Sequence, residues 1–143
     1  MKIFLGGTCN GSTWRDDLIR KLNTHDYFNP VVANWTPECM AEELRQRAMA
    51  EYVVYVITPL MTGVYSIAEV VDDSNKRPEK TILCILENDY DFIKDEVLDY
   101  HTDQRRSLDA VKKMVQNNGG TVCATLKELA RYLNERVWDR KQS

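Results

Sequence analysis

The residue most able to do chemistry in this sequence is Glu69, at the end of the run Thr58-Pro59-Leu60-Met61-Thr62-Gly63-Val64-Tyr65-Ser66-Ile67-Ala68-Glu69. A carboxylate at the mouth of a cleft can act as a nucleophile, or stabilise an oxocarbenium ion on a sugar. A plainer role competes with this one. Ser66 and Glu69 have capping-box spacing, so the glutamate could simply accept a backbone N–H at a helix start. The apolar positions Val64, Ile67, Ala68 and Val71 favour a helix that begins earlier, at Thr62 or Gly63, with Glu69 one turn inside. Both readings stand on the sequence. Asp72 and Asp73 follow at i+3 and i+4. Carboxylates placed so closely can split acid and nucleophile roles, or form a solvated helix face, which is the commoner fate.

A second group of candidates lies near the N-terminus, in Gly6-Gly7-Thr8-Cys9-Asn10-Gly11-Ser12-Thr13, followed by Trp14-Arg15. Small residues let backbone approach a ligand, and the N–H groups at a helix start favour an anion such as phosphate. A tight turn with Ser12 or Thr13 as N-cap is the structural alternative. The loop is neither a GxGxxG nor a P-loop. Trp35 can stack on a planar base or pack against the protein. Glu42 and Glu43 read as solvated helix charges. His25 and His101 are far apart, no Cys/His/Asp cluster has metal-ligand spacing, and Cys9 has no histidine placed to activate it.

These residues need elements to bring them together. Runs of strand length alternate with helical patterns. The strands are expected at Lys2–Leu5, Phe28–Val32, Val53–Ile57, Thr81–Leu86 and Thr121–Cys123. The run Tyr52–Ile57 is apolar without alternation, as in a parallel strand buried on both faces. Trp14, Leu18 and Leu22 mark a first helix. Thr36 caps a second with Pro37 at its first position, and Met40, Leu44 and Ala48 are expected to face inward. Leu108, Val111 and Val115 mark a fourth, stopped at Asn117-Asn118-Gly119-Gly120. Thr125 and Glu128 cap the last, which carries Leu126, Leu129 and Leu133. The stretch Glu87–Asp103 is long for a connection and reads as a lid, a partner surface, or an irregular loop with a short helix.

The expected architecture is therefore one α/β domain over residues 1–143. It is a doubly wound, flavodoxin-like sheet of five parallel strands in the order 2-1-3-4-5, with helices on both faces. In such sheets ligands bind outside the carboxyl ends of the strands, at the switch point. That places Gly6-Gly7 and Glu69 at one site. A net charge of -3 does not advertise a nucleic-acid partner, which would call for a basic face, and leaves a local basic pocket open. Four scattered cysteines and no signal-peptide core point to reduced thiols in a cytoplasm, and no apolar run has membrane-spanning length.

Taken in order, several pieces resemble a known family. They are Ile3-Phe4-Leu5-Gly6-Gly7-Thr8, Trp14-Arg15, Asn29-Pro30 with Trp35, Thr58-Pro59, Gly63-Val64-Tyr65-Ser66-Ile67-Ala68-Glu69, Ser107-Leu108 and Gly119-Gly120. The chain resembles the nucleoside 2-deoxyribosyltransferase-like proteins, above all the small branch found in phage and bacterial genomes. The resemblance implies cleavage or transfer at the N-glycosidic bond of a (deoxy)nucleoside or nucleotide, with Glu69 as the nucleophile. Beside it, the expected substrate-binding residues are Gly6, Gly7, Thr8, Asn10, Trp14, Trp35, Tyr65 and Ser66, with Asp72 and Asp73 as a possible acid or helper. The resemblance implies no metal or redox cofactor, and a homo-oligomer, dimer or larger, whose neighbours complete the site. One departure stands out. Family enzymes carry an Asp after the third strand that helps protonate the base, where this chain offers only Thr62; Asp16, Asp17 or Asp72 could substitute. The hydroxyl-rich first loop leaves a 5′-phosphate open, and the related TIR-type NAD hydrolases leave a dinucleotide open. A non-catalytic nucleotide-binding or sensor module of the same fold is the alternative. An FMN protein is a further one, since Thr8-x-Asn10-Gly11-x-Thr13 is loosely similar to a flavin phosphate loop.

Overall fold

The structure is a computed structural model and describes residues 1–142. Five parallel strands form the central sheet: β1 (Ile3–Gly7), β2 (Tyr27–Phe28), β3 (Tyr52–Ile57), β4 (Thr81–Ile85) and β7 (Thr121–Cys123), in the order β2-β1-β3-β4-β7. This is the expected flavodoxin-like order, with the fifth sheet strand numbered β7 because a small hairpin intervenes. Strand residues alternate between two cores. Ile3, Leu5, Val54, Val56, Ile82 and Cys84 meet helices α1 (Trp14–Lys21) and α5 (Leu126–Gln142). Phe4, Val53, Tyr55, Ile57 and Leu83 face α3 (Tyr65–Lys76) and α4 (Thr102–Asn117). Every residue of β3 from Val53 to Ile57 is fully buried, as a strand covered on both faces requires.

The helix ends follow local rules. At α2 (Pro37–Met49), Thr36 Oγ1 accepts the Cys39 N–H at 3.2 Å and Pro37 takes the first position. Helix α4 ends at Asn117 with Asn118 as its C-cap, and Gly119 just beyond has a φ of 99° that suits glycine. At α5, Thr125 Oγ1 accepts the Glu128 N–H at 3.1 Å, and Glu128 reaches back to the Ala124 N–H at 2.9 Å.

Four expectations are corrected. Strand β2 covers only Tyr27–Phe28, not Phe28–Val32. Pro30 has no N–H to donate, and Asn29 Oδ1 takes the Val31 N–H at 3.1 Å, so the chain turns away from the sheet. Helix α2 does not turn Met40, Leu44 and Ala48 inward. All three are exposed, and the buried side chain on this helix is Arg47. Helix α3 begins at Tyr65 with Val64 as N-cap, and it buries Glu69, Val70, Asp73 and Ser74 while Val64 and Ala68 face outward. The stretch after β4 holds an antiparallel hairpin, β5 (Asn88–Asp91) with β6 (Glu96–Asp99), closed by Phe92–Asp95. Asp91 Oδ1 accepts the N–H groups of Ile93 and Lys94, which fixes that turn.

Candidate active site

A cleft of about 350 Å³ opens at the carboxyl ends of β1 and β3. Two glycines let it form there. A Cβ on Gly7, which has φ of 125°, would lie 2.0 Å from the Val56 carbonyl oxygen of the neighbouring strand. A Cβ on Gly6 would lie 2.6 Å from the Tyr55 ring. Gly6 and Gly7 are thus demanded by packing as well as exposed to the cleft. Thr8 is buried. Its N–H donates to Val56 O and its Oγ1 accepts the Thr58 N–H, both at 2.9 Å, which ties the two site loops together. Asn10 adds a second tie, donating from Nδ2 to Leu60 O at 3.0 Å and to Thr62 Oγ1.

The cleft wall contains Gly6, Gly7, Thr8, Asn10, Trp35, Tyr65, Ser66 and Glu69 from the candidate set. Trp14 is not in it. That side chain is 1% exposed in the core below, where Nε1 donates to Thr8 O at 2.7 Å and so supports the loop from beneath. Arg15 lines the cleft, but its guanidinium is directed at backbone: Nε donates to Leu5 O, Nη1 to Thr8 O and Nη2 to Gly7 O. Neither Asp16 nor Asp17 lines the cleft, nor does Asp72 or Asp73. Asp17 accepts from Thr13 and pairs with Arg20. Asp72 pairs with Arg47 and Lys76. Asp73 is fully buried behind Glu69.

Because Val64 is the N-cap, Glu69 sits at the fifth helical position, and the capping role falls away. Its side chain is 6% exposed, with Oε2 3.6 Å from Arg47 Nη1. Burial pushes its carboxyl up to about 7. Arg47 opposes that shift, and the like charges of Glu43 and Asp73 add to it. Glu43, half-buried on α2, also lines the cleft. Its carboxyl is raised by burial, against the pull of Arg47 and Arg15. The sequence held no signal separating Glu43 from its neighbour. Glu42 turns outward to Arg45 and Gln46 while Glu43 turns to the cleft, and only the azimuth of α2 decides which is which.

The geometry thus presents two carboxylates on facing helices at a pocket of small-molecule size. A family model described as "nucleoside 2-deoxyribosyltransferase like" matches residues 1–88. The chain belongs to the nucleoside 2-deoxyribosyltransferase-like family. The matched stretch contains β1 to β4 and every residue lining the cleft. The family is related to the nucleoside deoxyribosyltransferases, which are enzymes that bind nucleosides, so nucleoside glycosyl transfer is the chemistry attached to this family. No curated protein and no solved structure matches the chain. No helix among the described residues is long and apolar enough to cross a membrane, and Cys9, Cys39, Cys84 and Cys123 are all free thiols.

Proposed function

We propose that this protein breaks the N-glycosidic bond of a (deoxy)nucleoside or nucleotide by a double displacement, with Glu69 as the nucleophile. The observation that carries the reading is the pair of carboxylates, Glu69 buried in the cleft wall and Glu43 facing the same space from α2. An ionised Glu69 oxygen attacks the anomeric carbon as the bond to the base nitrogen breaks. The bond's electron pair leaves with the base, which takes a proton from the carboxyl of Glu43. Burial raises the carboxyls of both Glu43 and Glu69, so the division of roles rests on position: Glu43 faces the cleft from α2 and Glu69 from α3. The sugar is then held on Glu69 as an ester. A second base or water attacks the anomeric carbon, Glu43 takes back a proton, and the Glu69 carboxylate is released. The sequence needs no metal or redox cofactor. Trp35, 61% exposed at the rim, offers a face for the base to stack on.

Self-association is part of the proposal. Val31, Val32, Trp35, Met40, Leu44 and Tyr65 are exposed around the cleft mouth, and an apolar patch of this kind marks a contact surface. A second copy of the chain covering it would close the cleft from water.

The test is a panel of nucleosides and 5′-monophosphates, with and without an acceptor base, read as free or exchanged base by chromatography. Wild type is expected to release base and Glu69→Ala to release none, with the fold intact by circular dichroism. No base from any substrate, together with a nucleoside-induced thermal shift that Glu69→Ala leaves in place, would make the protein a binding module instead.

A further inference from the structure

Behind the cleft wall lies an ion-pair network to which the reaction above gives no task. Its hub is Asp73, fully buried on α3. Arg47 reaches it from α2 through two parallel bonds, Nε to Oδ2 at 2.9 Å and Nη2 to Oδ1 at 3.0 Å. Tyr55, from β3, donates its hydroxyl to the same carboxylate, and Arg77 Nε lies 3.0 Å from Asp73 Oδ1. The fork geometry fixes the guanidinium plane. The nitrogen left free of Asp73, Nη1, is held 3.6 Å from Glu69 Oε2.

A buried network of this kind is weak evidence for stability, because desolvation offsets most of the attraction. Its value lies in where it points a charge. We propose that Arg47 is a positioning residue for Glu69: clamped by Asp73, it holds a fixed positive charge beside the Glu69 carboxylate. The proposal rests on the reading of Glu69 as nucleophile. The charged and titratable groups around Glu69 are Glu43 and Arg47 from α2, Tyr55 from β3 and Asp73 on its own helix, with Arg15 across the cleft beside Glu43. Burial, Glu43 and Asp73 all favour protonation, and Arg47 supplies the opposing pull. Gly6 belongs to the same device, because only a residue without Cβ leaves room for the Tyr55 ring beside it.

Two readouts on Arg47→Gln and Arg47→Lys test this. One is the pH profile of base release. The other is the titration of the Glu69 carboxyl by carbon NMR, assigned by difference from Glu69→Gln, which needs no turnover. In Arg47→Gln the titration should move upward by about one pH unit or more, with the acid limb of the rate profile following, so activity at pH 6 falls about tenfold further than at pH 9. Arg47→Lys should fall between the two, because an ammonium keeps the charge and loses the fork. A loss in Arg47→Gln that is equal at all pH values, with an unmoved titration, overturns the proposal and leaves a structural arginine. Should Arg47→Gln fail to fold, Arg47→Met, similar in length and without charge, takes its place, and an unmoved titration there overturns the proposal equally. If Glu69→Gln still releases base, the nucleophile reading fails, and the NMR titration still decides whether Arg47 sets the charge.

Discussion

Helices α3 and α5 lie on opposite faces of one sheet and bury opposite kinds of side chain. Helix α5 turns Leu129, Ala130, Leu133 and Val137 inward and leaves Arg131, Glu135 and Asp139 in water. Helix α3 buries Glu69, Asp73 and Ser74 around a single fully buried valine, and its partner α2 buries an arginine while exposing Met40, Leu44 and Met49. The first arrangement is what the hydrophobic effect produces on its own. The second carries buried, paired charge on one side and unburied apolar surface on the other, a pattern proteins keep at functional sites. The family match, over residues 1–88, covers the α2–α3 half and stops before α4 and α5.

The sharpest way to break this contrast is Glu69→Gln. If α3 buries its carboxylate for chemistry, base release should fall by about 10³-fold or more, since the nucleophile is gone and its shape is kept. The same substitution should make the fold less pH-sensitive. Glu69 titrates near 7 in the fold, against about 4.5 for a free glutamate, so the folded state holds the proton more tightly. Its contribution to stability is therefore undiminished below the unfolded value and is lost as pH rises toward 7, by on the order of 2–3 kcal/mol. Urea melts between pH 4 and 8 should show wild type losing stability relative to Glu69→Gln across that window. Parallel curves would mean the carboxylate is not strained by burial.

Leucines on the two halves give the next test. Leu133 on α5 is fully buried, and Leu133→Ala should cost about 2–5 kcal/mol by urea melt. Leu44 on α2 is 46% exposed, and Leu44→Ala should change the stability of the dilute monomer by no more than about 0.5 kcal/mol. Under the proposed self-association, its effect should appear instead as a weaker dimer by sedimentation. Equal costs for the two leucines would erase the distinction between core helix and interface helix.

The same contrast explains what could be read in advance. The uniform apolarity of Tyr52–Ile57 and the stop at Asn117–Gly120 report local and packing rules that α4, α5 and the sheet obey, so strand order and most element positions were legible. The rules fail where the chain breaks them. Met40, Leu44 and Ala48 have a core helix's spacing and lie outside, because the apolar pattern of a helix marks what it will touch without saying whether that is its own core. The adjacent acids Asp72 and Asp73 differ only in a rotation of about 100° on the helix, which puts one half in water and the other under Arg47. Glu43 was hidden for the same reason. The hairpin after β4 was hidden by its acidity, since alternation of polar and apolar residues is weak when both faces are largely solvated.

The smallest expected effect tests the seam between the halves. Ser12, in the glycine loop, donates to Asp89 Oδ2 at 2.6 Å, joining the site loop to the hairpin beyond the matched stretch. The hairpin has its own two-stranded ladder, and its tip residues Phe92 and Ile93 are exposed, so a pair of strands this short gains much of its order from attachments at its base. Ser12→Ala removes the bond to Asp89 and a longer one, at 3.4 Å, that Ser12 Oγ accepts from the Trp14 N–H, and should cost about 1 kcal/mol. The loss should be local, because Tyr100 still donates to Ile57 O at 3.0 Å and anchors the chain where it leaves the hairpin. Amide exchange should therefore quicken at Asn88–Asp99 and stay unchanged in α5. Faster exchange spreading into α5 would show that the site half and the scaffold half unfold as one unit, and the division drawn between them would be one of chemistry alone.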